Sequence, residues 1–378
     1  MDITTEIYLD VVSSSSNASV TDNFANPSSI HDAGREAFAV LEEARETIAK
    51  LIGAKRPAEV YFTSGATEAN NIAILGIARA IKHSSVLNKR NKILVCSTEH
   101  ESSLLPAKHL EEEGFVVELL PVDNCGFIKF HKFIELCDDT TALVICHNAN
   151  TEVGTIQNIK KLCDVAHENG AYFHCDCVGT FGWIPVDVLD LGVDSASFSG
   201  HKLGSPKGIG ALYLKSGISC EPIMFGGNQE KGLVPGTQSV ALADVFSKAA
   251  KYSVENILNT REQFKEYCTY LITEISKIDG VNLTIDASEN KYGFLWNILH
   301  LTFENKSNKD LILQYGKRGI IVSGGPACSS ESDEPSHVLQ AIGVPEDVID
   351  NGIRISFSEN TTKKDLEKFI EVTKEILA

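Results

Sequence analysis

Between residues 32 and 215 the chain alternates two textures. Short, almost wholly apolar runs ("EVYF", "KILVCS", "VVELLPV", "TALVICH", "AYFHCD", "SASFS" and "GALYL") punctuate the segment. Between several of them lie stretches with apolar residues at helical spacing, such as "AGREAFAVLEEARETIAKLIGA", "ANNIAILGIARAIK", "SLLPAKHLEEEG" and "IKKLCDVAHENG". Short buried strands alternating with helices predict a largely parallel, doubly wound sheet. After about residue 238 the texture changes. Two helical stretches, "SVALADVFSKAAKYSVENIL" and "EQFKEYCTYLITEISKI", precede the strand-like "VNLTIDA", "FLWNILHLTF" and "GIRISFS" and a closing helix, "TKKDLEKFIEVTKEILA". This pattern predicts a large α/β domain over residues 16–250 and a smaller α+β domain built from 1–15 and 251–378.

At 378 residues the chain exceeds the size at which one hydrophobic core stops growing, which agrees with two domains. A net charge of −17 argues against a nucleic-acid partner, whose phosphates require clustered Lys and Arg. No run approaches the roughly 20 apolar residues that span a bilayer. The start, "MDITTEIYLD", lacks the basic and apolar regions of a signal peptide, so the expected compartment is the cytoplasm, with reduced thiols. The ten cysteines show no metal spacing. Cys175 and Cys177 read as two neighbours on one buried strand face rather than as a metal or redox pair.

In doubly wound sheets ligands sit beyond the carboxyl ends of the strands, so the residues following each apolar run are the candidates for chemistry. "SGAT" (64–67) opens a helix, where backbone amides and a hydroxyl can cradle phosphate, although Thr67 serves equally well as a helix cap. His100 follows the "KILVCS" run and reads as easily as a structural histidine. Asp176 follows a buried run, where a carboxylate must find a partner. Lys202 follows "SFSGH", where desolvation can free its amine for Schiff-base chemistry. Cys328 lies in the Gly-rich "VSGGPACSSESDEPSHVL" and reads as an exposed functional thiol. A lysine, a carboxylate and a phosphate cradle together fit pyridoxal 5′-phosphate.

These residues occur in blocks that resemble the cysteine desulfurases, class V aminotransferase-like enzymes of the fold-type I pyridoxal-phosphate group. The blocks are "NPSSIHDAGREA" (26–37), "FTSGATEANN" (62–71), "STEH" (97–100), "EVGTIQ" (152–157), "SFSGHK…PKGIGALY" (197–213), "GGNQEKGLVPGT" (226–237), "ACSS…EPSHVL" (327–339) and "IRISF" (353–357). The resemblance implies a mainly parallel seven-stranded sheet in the large domain and a homodimer. Lys202 would attach the cofactor and move the substrate α-proton, Asp176 would pair with the pyridine nitrogen, and His100 would lie over the ring and assist proton transfer. Ala66, Thr67, Ser199 and His201 would hold the phosphate, with Thr237 reaching across from a second subunit. Thr151 would face the ring oxygen. Arg354, with Asn26, would bind the substrate carboxylate. Cys328 would take the sulfur of L-cysteine as a persulfide, release alanine and pass the sulfur to an acceptor protein for iron–sulfur cluster or thio-cofactor assembly. The spacing around Cys328 looks like the long-loop subgroup.

The chain departs from that pattern at five positions. Val11 and Val12 replace polar and small residues near the amino terminus. Thr151 stands for the usual asparagine, Gly179 for a glutamine, and Val234 for a basic residue. Those changes leave open a relative acting on another amino acid, such as selenocysteine or cysteine sulfinate. A non-catalytic scaffold for sulfur trafficking is a further alternative, against which Lys202 and Asp176 count.

Overall fold

A computed structural model describes residues 7–8, 25–285, 293–325 and 335–378. In chain order its strands are β1 (Ile7–Tyr8), β2 (Val60–Thr63), β3 (Lys92–Cys96), β4 (Val116–Leu120), β5 (Thr141–Ile145), β6 (Tyr172–Asp176), β7 (Ser195–Ser199), β8 (Gly210–Leu214), β9 (Val281–Leu283), β10 (Ile298–Phe303), β11 (Ile320–Ile321) and β12 (Gly352–Ser356). The helices are α1 (Asp32–Leu51), α2 (Ala66–His83), α3 (Glu101–His109), α4 (Phe130–Leu136), α5 (Ile159–Glu168), α6 (Val188–Leu191), α7 (Val240–Ile275), α8 (Asn308–Gly316), α9 (His337–Ala341), α10 (Glu346–Ile349) and α11 (Lys363–Leu377).

The seven apolar runs form one sheet in the order β2-β8-β7-β6-β5-β3-β4. Only β8 runs against the other six. Alternate side chains enter opposite layers, as strand pleating requires. Leu94, Cys96, Val144 and Cys146 join the layer containing α1, α5 and the first half of α7, whereas Ile93, Val95, Leu143 and Ile145 join the layer under α2 and α3. Both faces are therefore covered, which is why the strands read as continuous apolar runs.

A second core packs the antiparallel sheet β12-β10-β9 against α8, α11 and the latter half of α7. β1 pairs in parallel with β11. Here the sequence pattern misleads in one respect: the two predicted helical stretches are a single 36-residue helix, α7. Its beginning (Val240, Ala243, Phe246, Ala250) packs in the first core, and its end (Phe264, Cys268, Leu271, Ile275) in the second. The stretch between is largely exposed and has no apolar stripe, so periodicity alone reads it as a break. The sequence pattern does not predict α4, α6, α9 and α10, which at four to seven residues are too short to establish a period, nor the nine-residue α8.

Cys175 and Cys177 sit side by side on one buried face, with sulfurs 3.7 Å apart. No metal-ligating cluster occurs among the described residues. No helix among them is long and apolar enough to cross a membrane.

Candidate active site

The carboxyl ends of β2, β3, β5, β6 and β7 lie along one edge of the sheet, and the segments that follow them line a cavity of about 410 Å3. Ser64 to Thr67, His100, Thr151, Asp176, Ser199, His201 and Lys202 all open on it. From the second core, Arg354 of β12 closes the opposite side, its Nη1 donating to the Thr151 carbonyl at 3.2 Å. Pro335 to Val338, which follow the segment bearing Cys328, complete the lining.

Asp176 forms the floor. Burial, with the nearby Glu99 carboxylate, pushes its pKa up. Hydrogen bonds act the other way: Asn70 Nδ2 donates to Oδ2 at 2.8 Å, and the Val178 amide donates to Oδ1 at 2.9 Å. Asn70 also donates to Ser102 Oγ at 2.9 Å, and Ser102 Oγ lies 2.8 Å from His100 Nδ1. His100 is itself the amino-terminal cap of α3, its Nδ1 accepting from the Ser102 amide at 3.0 Å. It is thus both a structural cap and part of the cavity wall.

Behind this floor Glu99 and His147 form a fully buried ion pair, Nδ1 to Oε1 at 3.0 Å. Although burial works against charge on both groups, each holds the other ionised. Glu99 stays below the ordinary carboxylate range, and His147 is raised to about 9.

The turn after β5 is fixed by Asn150, whose Oδ1 accepts from the amides of Glu152 and Val153 and whose Nδ2 donates to the Thr98 carbonyl at 3.0 Å. This presents Thr151 and Glu152 to the cavity. No hydrogen bond of normal geometry reaches either oxygen of Glu152 among the described residues. Its pKa rises to about 7 through burial, with Ser336 and Arg354 only partly offsetting that effect. A methyl placed on Gly325 would come within 3.5 Å of Glu152 Oε1, so this acid stands close to both stems of the 326–334 segment.

At the other end, α2 begins with Gly65 as its cap and no side-chain cap bond. Thr67 is therefore inside the first turn rather than capping it, and the amides of that turn face the cavity uncapped by any side chain. Ser199 Oγ lies 2.8 Å from His201 Nδ1 at the start of the short 3-10 turn that carries Lys202. An uncapped amide cluster with two hydroxyls and an imidazole suits a phosphate. A buried carboxylate held by two N–H donors suits a protonated ring nitrogen, and the Lys202 amine shares the cavity with both. This donor set fits pyridoxal phosphate.

Of the residues singled out from sequence, Ala66, Thr67, His100, Thr151, Asp176, Ser199, His201, Lys202 and Arg354 converge here. Asn26 does not line the cavity: it is exposed, and its Oδ1 accepts from the Ser28 amide at 2.9 Å. Thr237 is likewise exposed and outside the cavity of its own chain. Val234 is half-buried against the α2 and α3 layer. Cys328, Val11 and Val12 lie outside the described residues. Sequence reasoning missed Asn70, Ser102, His147, Asn150 and Glu152. Only Asn150 carried a signal, in the Asn-x-x-x-Gly spacing of a side-chain-braced turn ending at Gly154, whose φ is +84°.

The family description "Aminotransferase class-V" matches residues 3–369. A "Cysteine desulfurase IscS" from Dictyoglomus turgidum is 40% identical over 357 residues, covering 94% of this chain and 88% of the relative. A solved structure titled "NIFS-LIKE PROTEIN" superposes with a TM-score of 0.89 at 30% identity, covering 98% of this chain and 99% of the other. One titled "SspA in complex with cysteine" gives 0.76 at 31% identity, over 93% and 98%. The chain belongs to the class-V aminotransferase family, and within it to the pyridoxal-phosphate-dependent cysteine desulfurases.

Proposed function

We propose that this cavity takes the sulfur from L-cysteine and that Cys328 receives it. The observation that supports the reading is the convergence of Lys202, Asp176, the uncapped α2 start and Arg354 on a single cavity. Pyridoxal phosphate, when bound, supplies an aldehyde for the amine and a ring that accepts the electron pair left on the substrate carbon. Lys202 Nζ anchors the cofactor and carries the α-proton. Asp176 keeps a proton on the ring nitrogen. The α2 amides, Thr67, Ser199 and His201 hold the phosphate. Arg354 clamps the substrate carboxylate as a bidentate donor, and the hydroxyl of Thr151 faces the ring oxygen. The Cys328 thiolate attacks the substrate sulfur. An S–S bond forms, the C–S bond breaks with its electron pair returning to the substrate carbon, and alanine leaves.

Two assembly features belong to the same reading. Thr237, exposed and away from its own cavity, completes the phosphate site of a second copy in a homodimer. The persulfide is passed to an acceptor protein in the cytoplasm, for cluster or thio-cofactor assembly.

The test is to supply L-cysteine and a reductant and to measure sulfide and alanine. Wild type should release both. Lys202→Ala should lose turnover and the visible absorption of the bound cofactor. Cys328→Ala should still respond spectrally to L-cysteine yet release little sulfide. Full activity in Cys328→Ala would remove the persulfide step.

A further inference from the structure

The hydrogen bonds around Asp176 have a direction, and that direction is set behind the cavity wall by a residue that does not line it. His174, wholly buried on β6, has Nδ1 2.8 Å from Ser195 Oγ and Nε2 3.0 Å from Asn70 Oδ1. An amide oxygen only accepts, so Nε2 of His174 carries the proton and Nδ1 accepts from the Ser195 hydroxyl. Burial lowers the His174 pKa to about 4, which keeps it in this neutral form. Asn70 is thereby oriented, and its Nδ2 must give its two protons to Asp176 and Ser102. The Ser102 oxygen, already accepting from Asn70, turns its own proton toward His100 Nδ1, which also receives the Ser102 amide.

We propose that Ser102 is a positioning residue that holds His100 as a neutral imidazole with its proton on Nε2, the direction of its hydroxyl being imposed by the Ser195–His174–Asn70 chain. Two donors converge on Nδ1, so a second proton has no place there. The constraint matters because the carboxyls of Glu99, Glu101 and Asp176, which line the same cavity, favour an imidazolium, opposed by Lys202, Arg354 and His147. The same amide that orients Ser102 also bonds Asp176, so the ring-nitrogen partner and the His100 tautomer are fixed by one side chain. In function, His100 then offers the substrate side a hydrogen-bond donor and leaves proton abstraction to Lys202. This last point rests on the desulfurase reading; the tautomer does not.

The experiment is a two-bond 1H–15N correlation spectrum of histidine-labelled holoenzyme from pH 5.5 to 8.5, with His100 assigned by its loss in His100→Gln. The expected wild-type signal is the Nε2–H tautomer across the range. Ser102→Ala should take up a second proton at higher pH than wild type, with kcat reduced about tenfold, the scale of one lost hydrogen bond. Ser102→Thr, which keeps the hydroxyl, should restore both. A wild-type ring carrying its proton on Nδ1, or doubly protonated at pH 7, overturns the proposal. So does a Ser102→Ala enzyme that matches wild type in titration and kcat. Absence of sulfide and alanine from wild type would instead count against the desulfurase reading and leave the tautomer measurement standing on its own.

Discussion

Two neighbouring residues show how the unusual wall of the cavity is built. A Cβ on Gly179 would lie 2.8 Å from the Ala149 carbonyl and 2.9 Å from the Thr151 Cγ2 methyl. The threonine branch thus occupies the space in which a side chain at 179 would begin, and the two departures are packed against each other. Gly179→Ala should cost about 1–3 kcal/mol by overpacking. Thr151→Ser, which removes the methyl but keeps the hydroxyl, should return part of that loss in the double variant, as read by denaturant unfolding of the four chains. Strict additivity would show that the residues are independent.

Glu152 yields a pH prediction. Its native pKa, about 7 against an ordinary 4.5, is raised by burial. Between those values the native chain keeps a proton that the unfolded chain has released, so stability falls as pH rises, by up to about 1.4 kcal/mol per unit. Across the window the loss is about 3 kcal/mol. Glu152→Gln should remove this slope and be the more stable chain above pH 7, by calorimetry at pH 5 to 8. Parallel curves for the two chains would refute the assignment.

At the level of elements, the segment leading to Thr237 is tied to the large domain by one buried ion pair. Arg45 of α1 meets Glu230 through Nη1 to Oε2 at 2.7 Å and Nη2 to Oε1 at 2.8 Å. Glu230 Oε2 also accepts from the Phe62 amide of β2 at 2.9 Å, and Arg45 Nη1 donates to the Val60 carbonyl at 2.7 Å. Glu230 and Lys231 hold φ of +46° and +54°, a left-handed conformation costly for residues with side chains; the bonds above hold Glu230, and Lys231 Nζ donates to the Ala58 carbonyl. Glu230→Ala removes the bidentate partner of the buried Arg45 guanidinium, which keeps only Glu42 and the Val60 carbonyl, and leaves the Phe62 amide unmet. It should cost about 3–5 kcal/mol, and through the displaced Thr237 segment it should weaken cofactor retention, measured by dialysis and absorbance. Normal stability in that variant would show that the pair is not the anchor.

For the whole molecule, the arrangement of the two cores decides what the cavity can do. The sheet edge brings the proposed cofactor ligands together, β12 supplies Arg354 to the same cavity, and α7 runs through both cores. The proposed second-subunit role of Thr237 predicts that Thr237→Ala lowers cofactor affinity and that sedimentation finds wild type dimeric. In mixed dimers with Lys202→Ala, the Thr237 defect should appear in the partner's site. A wild-type monomer with full activity would exclude shared sites.

Much of this was legible in the sequence. Apolar runs marked the seven strands, because a strand covered on both sides, as all but the edge strand β4 are, has no polar face to hide its pattern. Lys202, Asp176, Ser199 and Thr67 stood out because strand ends are where a doubly wound sheet exposes chemistry. Other features needed the tertiary structure. The continuity of α7 was hidden because a helix passing between two cores lacks an apolar stripe midway. Asn70, Ser102, His147 and Glu152 were illegible because their roles come from partners far apart in sequence. Asn70 and His174, for instance, are 104 positions apart in sequence and bridged at 3.0 Å. Sequence alone determined which residues could bear the chemistry; three-dimensional packing decided which protons they hold, since burial and hydrogen-bond direction exist only once distant segments meet.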